Sequence, residues 1–187
     1  MLELNDVLLK GEKSTLSMMA REGQLTCIVG GSRWLQAIMG FEDVLAGFIS
    51  IDGEPLLPET AVALRRLMAF VPDRLQSVGT INTYEAPTAH DVFALMANRK
   101  QNKASDIDTA LKSEMERTGT NGQKARLLAT SGLLKRNILL VDNPDAASLA
   151  YLKSQASAGR IVIVASTDSN VVNAADNIVE TWLMSDK

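Results

Sequence analysis

The chain has 187 residues, of which 46% are hydrophobic, and a formal net charge of −3. This length and apolar content predict one folded domain with a substantial core and exclude a disordered chain. The negative charge and the aromatic content of 4% argue against a nucleic-acid-binding surface, which needs basic side chains and stacking rings.

Residues 1–77 contain strand-like runs that are separated by glycine turns. The runs lie near residues 2–9, 14–20, 24–29 and 47–52, with turns at Gly11, Gly23 and Gly53. Thr60 is expected to cap a helix that runs to Met68. A short strand, Met68–Val71, follows and ends at Pro72.

Residues 78–118 have helical periodicity, and residues 119–187 return to alternating strands and helices. The helices are expected over Ala89–Arg99, Ser105–Arg117, Asn121–Leu134, Asp145–Gln155 and Ser169–Ala175. The buried strands are expected over Ile138–Val141 and Ile161–Ala165, with a last strand over Ile178–Leu183. This alternation predicts α/β layers, in which strands covered on both faces are continuous apolar runs.

A glycine-rich turn follows the strand that ends at Val29. Gly30, Gly31 and Ser32 lie between this strand and a helix-like run from Arg33. The arrangement is the strand–loop–helix frame of a phosphate-binding P-loop, G-x-x-x-x-G-K-S/T, but it is shorter and lacks the lysine. We expect a tight turn that Trp34 and Arg33 fill. Three options stay open for the N–H groups of this turn: they bind ATP, they bind an adventitious anion, or they bind no ligand.

A second segment, Gly11–Thr15, contains Lys13 before a serine and a threonine, as a P-loop does. Glu12 stands where the P-loop has its glycine, and a carboxylate at that position repels phosphate. No helical pattern follows. We therefore expect a polar hairpin here.

Five segments carry short motifs in a fixed order along the chain. They are Gly47–Leu56, Phe70–Asp73, Asn121–Gln123 with Arg126, Ile138–Pro144 and Ala174–Val179. In order and spacing they resemble the strand hairpin, Q-loop, signature, Walker B strand and A-A-D-x-I-V segment of the ATPase subunit of ABC transporters. The resemblance covers nearly the whole chain.

This resemblance implies an ABC-type P-loop NTPase fold, an α/β fold with a mostly parallel sheet. It implies a single domain over residues 1–187. Residues 1–77 would form an N-terminal antiparallel β subdomain and the first half of the core. Residues 78–118 would form a reduced helical subdomain, and residues 119–187 the second half of the core.

The resemblance also implies that the catalytic positions are altered. Gly31 stands at the Walker A lysine, Asp73 at the Q-loop glutamine, Asn143 at the catalytic glutamate and Thr167 at the switch histidine. Asp142 matches the carboxylate that holds Mg²⁺, usually through water. Without a phosphate cradle we expect Asp142 to form a hydrogen bond with the Gly30–Ser32 turn instead.

The segment Thr120, Asn121, Gly122 and Gln123 resembles the signature, which contacts ATP held by an opposite subunit. Thr120 supplies a hydroxyl and Gly122 permits close approach, whereas Asn121 adds bulk. Two interpretations stay open: a functional signature or an ordinary capped helix.

The resemblance thus implies a non-catalytic partner in an ABC-type assembly, together with an ABC ATPase or a membrane permease. The alternatives are an ATP-hydrolysing transporter subunit with unusual motifs and a stand-alone interaction module. We expect no cofactor, with ATP and Mg²⁺ only under the first alternative, and no nucleic-acid partner.

The location of the protein is also predicted. No apolar run approaches the roughly 20 residues of a membrane-spanning helix, and Met1–Leu4 lacks the features of a signal peptide. Cys27 is the single cysteine, so a disulfide framework is excluded. We expect a cytoplasmic protein, either free or peripheral at the inner face of the membrane.

Overall fold

The structure is a computed structural model that describes residues 1–73 and 104–181. Its first elements are β1 (Leu2–Leu9), β2 (Leu16–Ala20), β3 (Leu25–Val29), α1 (Ser32–Ile38), β4 (Val44–Ile51), β5 (Glu54–Pro55), α2 (Pro58–Arg65) and β6 (Met68–Val71). They are followed by α3 (Ala104–Arg117), α4 (Gly122–Leu134), β7 (Ile138–Asp142), a 3₁₀ turn (Ala146–Ser148), α5 (Leu149–Ser157), β8 (Ile161–Ser166), α6 (Ser169–Ala174) and β9 (Asn177–Glu180).

The N-terminal strands form an antiparallel sheet of four strands in the order β2–β1–β4–β5. Strand β1 buries Leu2, Leu4, Val7 and Leu9, so its apolar residues face one side of the sheet. Glycine is required at position 47, because a Cβ there would overlap carbonyl oxygens of β1. This sheet confirms the N-terminal antiparallel β subdomain.

A second sheet of five parallel strands, in the order β6–β7–β8–β3–β9, forms the centre of the molecule. Strands β3 and β8 are buried along their whole length, as expected for parallel strands covered on both faces. Cys27 lies in β3 and has no exposed surface. Burial raises the pKa of its thiol to about 11, which the backbone hydrogen bond at Ser166 partly offsets.

Two apolar layers hold the parallel sheet. One layer packs it against the antiparallel sheet and α1, with Trp34, Leu35 and Ile38 buried between them. The other packs it against α4 and α5 through Leu128 and Leu152. The sheet is therefore fixed from both faces, and its strand ends define two opposite edges.

The structure confirms the α/β fold with a mostly parallel sheet. Most predicted elements are present within a few residues of their expected bounds. The helix predicted over Ala89–Arg99 lies outside the described residues. The same is true of most of the predicted helical subdomain, residues 78–118, of which the structure describes α3. No helix of the described part is long and apolar enough to cross a membrane.

Two predicted helices have different bounds. Helix α2 spans Pro58–Arg65 rather than Thr60–Met68, because Pro58 has the fixed φ that suits a first helical turn. Thr60 lies inside the helix, where its hydroxyl accepts a hydrogen bond from the Leu57 N–H at 2.9 Å. The predicted helix Asp145–Gln155 is divided into the 3₁₀ turn and α5.

Candidate functional site

Three loops meet at the carboxyl edge of the parallel sheet. They follow β3, β7 and β8, which are neighbouring strands, and begin at Gly30, Asn143 and Thr167. Open α/β sheets bind their ligands outside the carboxyl ends of the strands, so this edge is the candidate site. It brings together most of the residues that the sequence singled out.

The turn after β3 is closed by backbone hydrogen bonds. The Gly30 N–H donates to the Ser166 carbonyl at 3.2 Å, and the Gly31 N–H donates to the Ile28 carbonyl at 3.4 Å. The Gly31 carbonyl accepts from the Trp34 N–H at 2.9 Å. Two N–H groups of the kind that a phosphate-binding loop presents to its ligand are thus bonded to protein carbonyls.

Position 31 has no room for a side chain. A Cβ added to Gly31 would overlap Ile28 Cγ2 and lie 3.2 Å from Trp34 Cδ1. Both neighbours belong to the core, where close packing leaves little freedom to shift. A lysine at this position would have to displace them.

Ser32 and Asp142 are bonded directly to each other. The Ser32 hydroxyl donates to Asp142 Oδ1 at 2.6 Å and joins the start of α1 to the end of β7. This is the hydrogen bond that we expected between Asp142 and the turn. It joins the two side chains whose oxygens are the candidate ligands for a Mg²⁺ ion here.

The sequence led us to expect that Trp34 and Arg33 would both fill the turn, but they do not. Trp34 is buried in the core beneath α1. Arg33 extends in another direction and donates to Glu12 Oε1 at 2.9 Å and Glu42 Oε2 at 2.7 Å. The hydrogen bond to Glu42 raises the pKa of Arg33. The prediction for Arg33 was wrong because these carboxylates attract the guanidinium.

The same contact explains the Gly11–Thr15 segment. It forms the turn between β1 and β2, as a polar hairpin does. Glu12 lies in this turn and pairs with Arg33, so the hairpin is joined to α1.

Asp73, Asn143 and Lys124 form a polar cluster at the site. Lys124 Nζ lies 3.3 Å from Asp73 Oδ1 and also donates to the Asn143 carbonyl. The Asn143 amide donates to Asp73 Oδ1 at 3.2 Å. Asn143 has a φ of 46°, a left-handed conformation that asparagine tolerates. The lysine thus links the two loops through their side chains and backbone.

Lys124 was missed by the sequence analysis. It lies in the first turn of α4, where the helix dipole is unfavourable to a cation. Its side chain is 13% exposed, which requires an anionic partner. A lysine in a first helical turn was therefore the available signal, but the sequence does not identify its partner.

Thr120 and its neighbours lie at the start of α4. The Thr120 hydroxyl donates to Asp145 Oδ2 within the same chain. Asn121 occupies the N-cap without a side-chain cap, and Gly122 has a φ of 63° with open space around its Cα. Gln123 is exposed. The Thr120 hydroxyl is thus already a donor within this chain.

Thr167 is exposed beyond β8, one residue before the N-cap of α6. Within residues 1–73 and 104–181, no group of three histidine, cysteine, aspartate or glutamate side chains is arranged to hold a metal ion.

Solved structures resemble this architecture closely. An ATP-binding subunit of an ABC transporter superposes with a TM-score of 0.71 at 17% identity, covering 96% of this chain and 85% of that chain. A dimeric bacterial ABC transporter cassette gives 0.69 at 18% identity, over 97% and 94%. The cbiO1 protein of Clostridium perfringens, part of the cbiONQ transporter complex, gives 0.66 at 19%, over 96% and 83%. The chain has the ABC ATPase fold.

No protein-family model matches the sequence, and no curated protein is similar to it in sequence. The likeness to the solved structures is therefore one of fold, at 17–19% sequence identity. In the ABC ATPase fold, the edge that holds Gly30, Asp142 and Asn143 is the edge where the sequence resemblance places the nucleotide site.

Proposed function

We propose that this chain is a non-catalytic cytoplasmic partner in an ABC-type assembly, with the ABC ATPase fold but no nucleotide hydrolysis of its own. One observation carries the proposal. The N–H groups of Gly30 and Gly31, which would face a phosphate in a P-loop, donate to carbonyls of the chain itself.

The turn supports weak or no binding of ATP. A P-loop contributes several charge-assisted hydrogen bonds, each worth about 1.5–3 kcal/mol. Gly31 supplies no ammonium group, and position 31 has no space for one. Every such contact that is lost lowers the affinity by roughly 10- to 100-fold.

The Mg²⁺ and base positions support the same proposal. Ser32 and Asp142 offer Mg²⁺ only one hydroxyl and one carboxylate, whereas Mg²⁺ sites of this kind rely on substrate phosphates as well. Asn143 cannot accept a proton from an attacking water, and the hydroxyl of Thr167 is not a base near pH 7. Lys124 and Asp73 neutralise each other beside Asn143.

Two observations support the role as a partner. Among the solved relatives, one cassette is dimeric and another is part of a transporter complex. This chain also exposes large apolar side chains, among them Phe41, Leu45 and Phe48, and the last two line a groove of about 790 Å³. Exposed apolar surface of this kind marks contacts between proteins. We assign this apolar surface to contact with another subunit of the assembly.

Calorimetry with ATP and Mg²⁺ tests the loss of nucleotide binding. We expect no binding of ATP in the micromolar range by the purified chain. The Ser32→Ala variant, which frees Asp142, should give the same result. Micromolar binding by the unmodified chain would overturn the proposal and favour an ATP-hydrolysing subunit.

Mixing experiments test the partnership. The intact ABC ATPase encoded nearest to this chain would be mixed with it, and the ATP turnover of that enzyme measured. We expect the chain to change the turnover of that enzyme. We expect Gly122→Trp to abolish this change, because Gly122 lies at the start of α4 in the segment that resembles the signature.

Gly159→Trp is the matched control for this experiment. Gly159 also has a positive φ and open space around its Cα, but it follows the far end of α5. Equal effects of both variants, or of neither, would refute the contact at Gly122.

A further inference from the structure

A cavity of about 650 Å³ lies at the amino edge of the parallel sheet, opposite the candidate site. Its wall includes the residues just before β7 and β8. Four basic residues line it, namely Arg117, Lys135, Arg136 and Arg160, together with one acidic residue, Glu114. Their formal charge is +3 in a chain whose net charge is −3. The positive charge is therefore concentrated here.

Arg160 is the most constrained of these residues, since only 7% of it is exposed. Its Nε donates to the Arg136 carbonyl at 2.6 Å, and its Nη1 donates to Gln155 Oε1 at 2.7 Å. Its Nη2 is buried and has no hydrogen-bond partner among residues 1–73 and 104–181. A buried guanidinium nitrogen without an acceptor is costly and calls for an explanation.

Among the described residues, no carboxylate is bonded to or paired with Arg160. Glu114, the acidic residue of the wall, bonds to other groups: Oε1 accepts from the Tyr151 hydroxyl at 2.6 Å and Oε2 pairs with Arg117 at 2.7 Å. Burial lowers the pKa of Arg160 because it disfavours the charged form. Within the described part of the chain, the hydrogen bonds of Arg160 thus go to two neutral acceptors.

Capping of helix ends explains only part of this basic cluster. The cavity lies where α3, α4 and α5 end, and cations are favourable near the carboxyl ends of helices. Arg136 serves such a role, since its Nη1 donates to the Arg66 carbonyl at 2.5 Å. Lys135 is exposed, and the orphan Nη2 of Arg160 caps nothing.

We infer that this cavity binds the phosphate group of a small polar molecule, with Arg160, Lys135 and Arg117 as its cationic contacts. A phosphate dianion supplies the acceptor that Arg160 Nη2 lacks and offsets the local positive charge.

The shape and lining of the cavity narrow the class of ligand. A volume of 650 Å³ is in the range of small-molecule sites. The described wall contains no aromatic ring on which a base could stack. Asn137 and Gln155 offer amide groups that suit hydroxyls. The ligand is therefore a phosphate ester of a polyhydroxy compound rather than a nucleotide.

Calorimetry and thermal unfolding of the whole chain test this site. The probes are glucose 6-phosphate, inorganic phosphate and glucose. We expect the ester to bind with a sub-millimolar Kd, phosphate to bind more weakly, and glucose not to bind up to about 10 mM. Binding of phosphate as tight as that of the ester would refute the polyhydroxy part of the inference.

Three variants locate the site. Lys135 has a φ of 49°, so Lys135→Asn removes the charge in a residue type that tolerates this backbone. We expect Lys135→Asn and Arg160→Lys each to weaken ester binding roughly tenfold. Lys153→Asn, an equal change of charge at an exposed position of α5 that does not line the cavity, should leave it unchanged.

Two outcomes overturn the inference: no binding of the ester or phosphate at about 10 mM, or equal weakening by Lys153→Asn and Lys135→Asn. If Arg160→Lys fails to fold, Lys135→Asn decides the matter alone. The result is independent of the proposed lack of ATP binding, because the cavity and the Gly30–Ser32 turn lie at opposite edges of the sheet.

Discussion

The two edges of the parallel sheet differ in how their polar groups are satisfied. At the carboxyl edge, Ser32 is bonded to Asp142, and Asp73, Asn143 and Lys124 are bonded to one another. At the amino edge, Arg160 keeps a buried nitrogen without an acceptor in the described chain. A site that binds a ligand tightly keeps donors available for it, because a donor already bonded within the protein must first be released.

Gly31→Lys has the largest expected effect and tests the closed turn at the carboxyl edge. It restores the residue type of a P-loop lysine, yet its side chain would displace Ile28 and Trp34. We expect the free energy of unfolding to fall by about 3 kcal/mol, measured by chemical denaturation, with no gain of ATP binding. Gln36→Lys, at an exposed position of the same helix, is the control and should cost under about 0.5 kcal/mol. A stable Gly31→Lys variant that binds ATP would contradict the closed turn.

Tyr151→Phe tests how far Glu114, at the amino edge, depends on its tyrosine partner. The change removes the hydroxyl that donates to Glu114 Oε1 and leaves a buried carboxylate oxygen without this donor. We expect a loss of about 2 kcal/mol in thermal or chemical unfolding. Ser154→Ala removes a hydroxyl from the same helix but leaves no buried charge, so it should cost half as much or less. Equal losses would show that Glu114 does not depend on Tyr151.

Lys124→Met tests the polar cluster at the carboxyl edge. The change removes the cation between Asp73 and the Asn143 carbonyl while keeping a long apolar stem. We expect a loss of about 1 kcal/mol in the free energy of unfolding, because Asp73 is partly exposed and the pair is screened by solvent. Lys153→Met is the exposed control and should be neutral. Identical values would mean that Lys124 contributes no stabilising contact.

Ser32→Ala is the smallest of these changes. It removes the hydrogen bond to Asp142, which lies at an exposed position. We expect about 0.5–1 kcal/mol lower stability in chemical denaturation. Ser157→Ala, at an exposed serine near the end of α5, serves as the control. A loss no greater than that of the control would show that Ser32 does not hold the turn closed.

The sequence was sufficient to predict the fold. The apolar runs Ile138–Val141 and Ile161–Ala165 are strands of the parallel sheet, because buried strands carry a strong and local signal. The bounds of α2 were less well predicted, because both Thr60 and Pro58 mark helix starts and the helix begins at the proline.

The candidate site was predictable in part. Chain order brought Gly30, Asp142, Asn143 and Thr167 to one edge, since each follows or ends a parallel strand. The partners of Arg33 and Lys124 were not predictable. Both side chains pair across elements that lie far apart in the chain, and a single sequence does not record such contacts. The same holds for the cavity around Arg160, whose wall is assembled from three helix ends.

The burial of Cys27 has a practical consequence. The reactive form of a cysteine is its thiolate, and a pKa raised to about 11 makes that form about a hundredfold rarer than at the ordinary value of 9.0. The sheet also shields the sulfur from reagents on both faces. Alkylation of this single cysteine therefore requires β3 to open, so the alkylation rate reports on unfolding without an added probe.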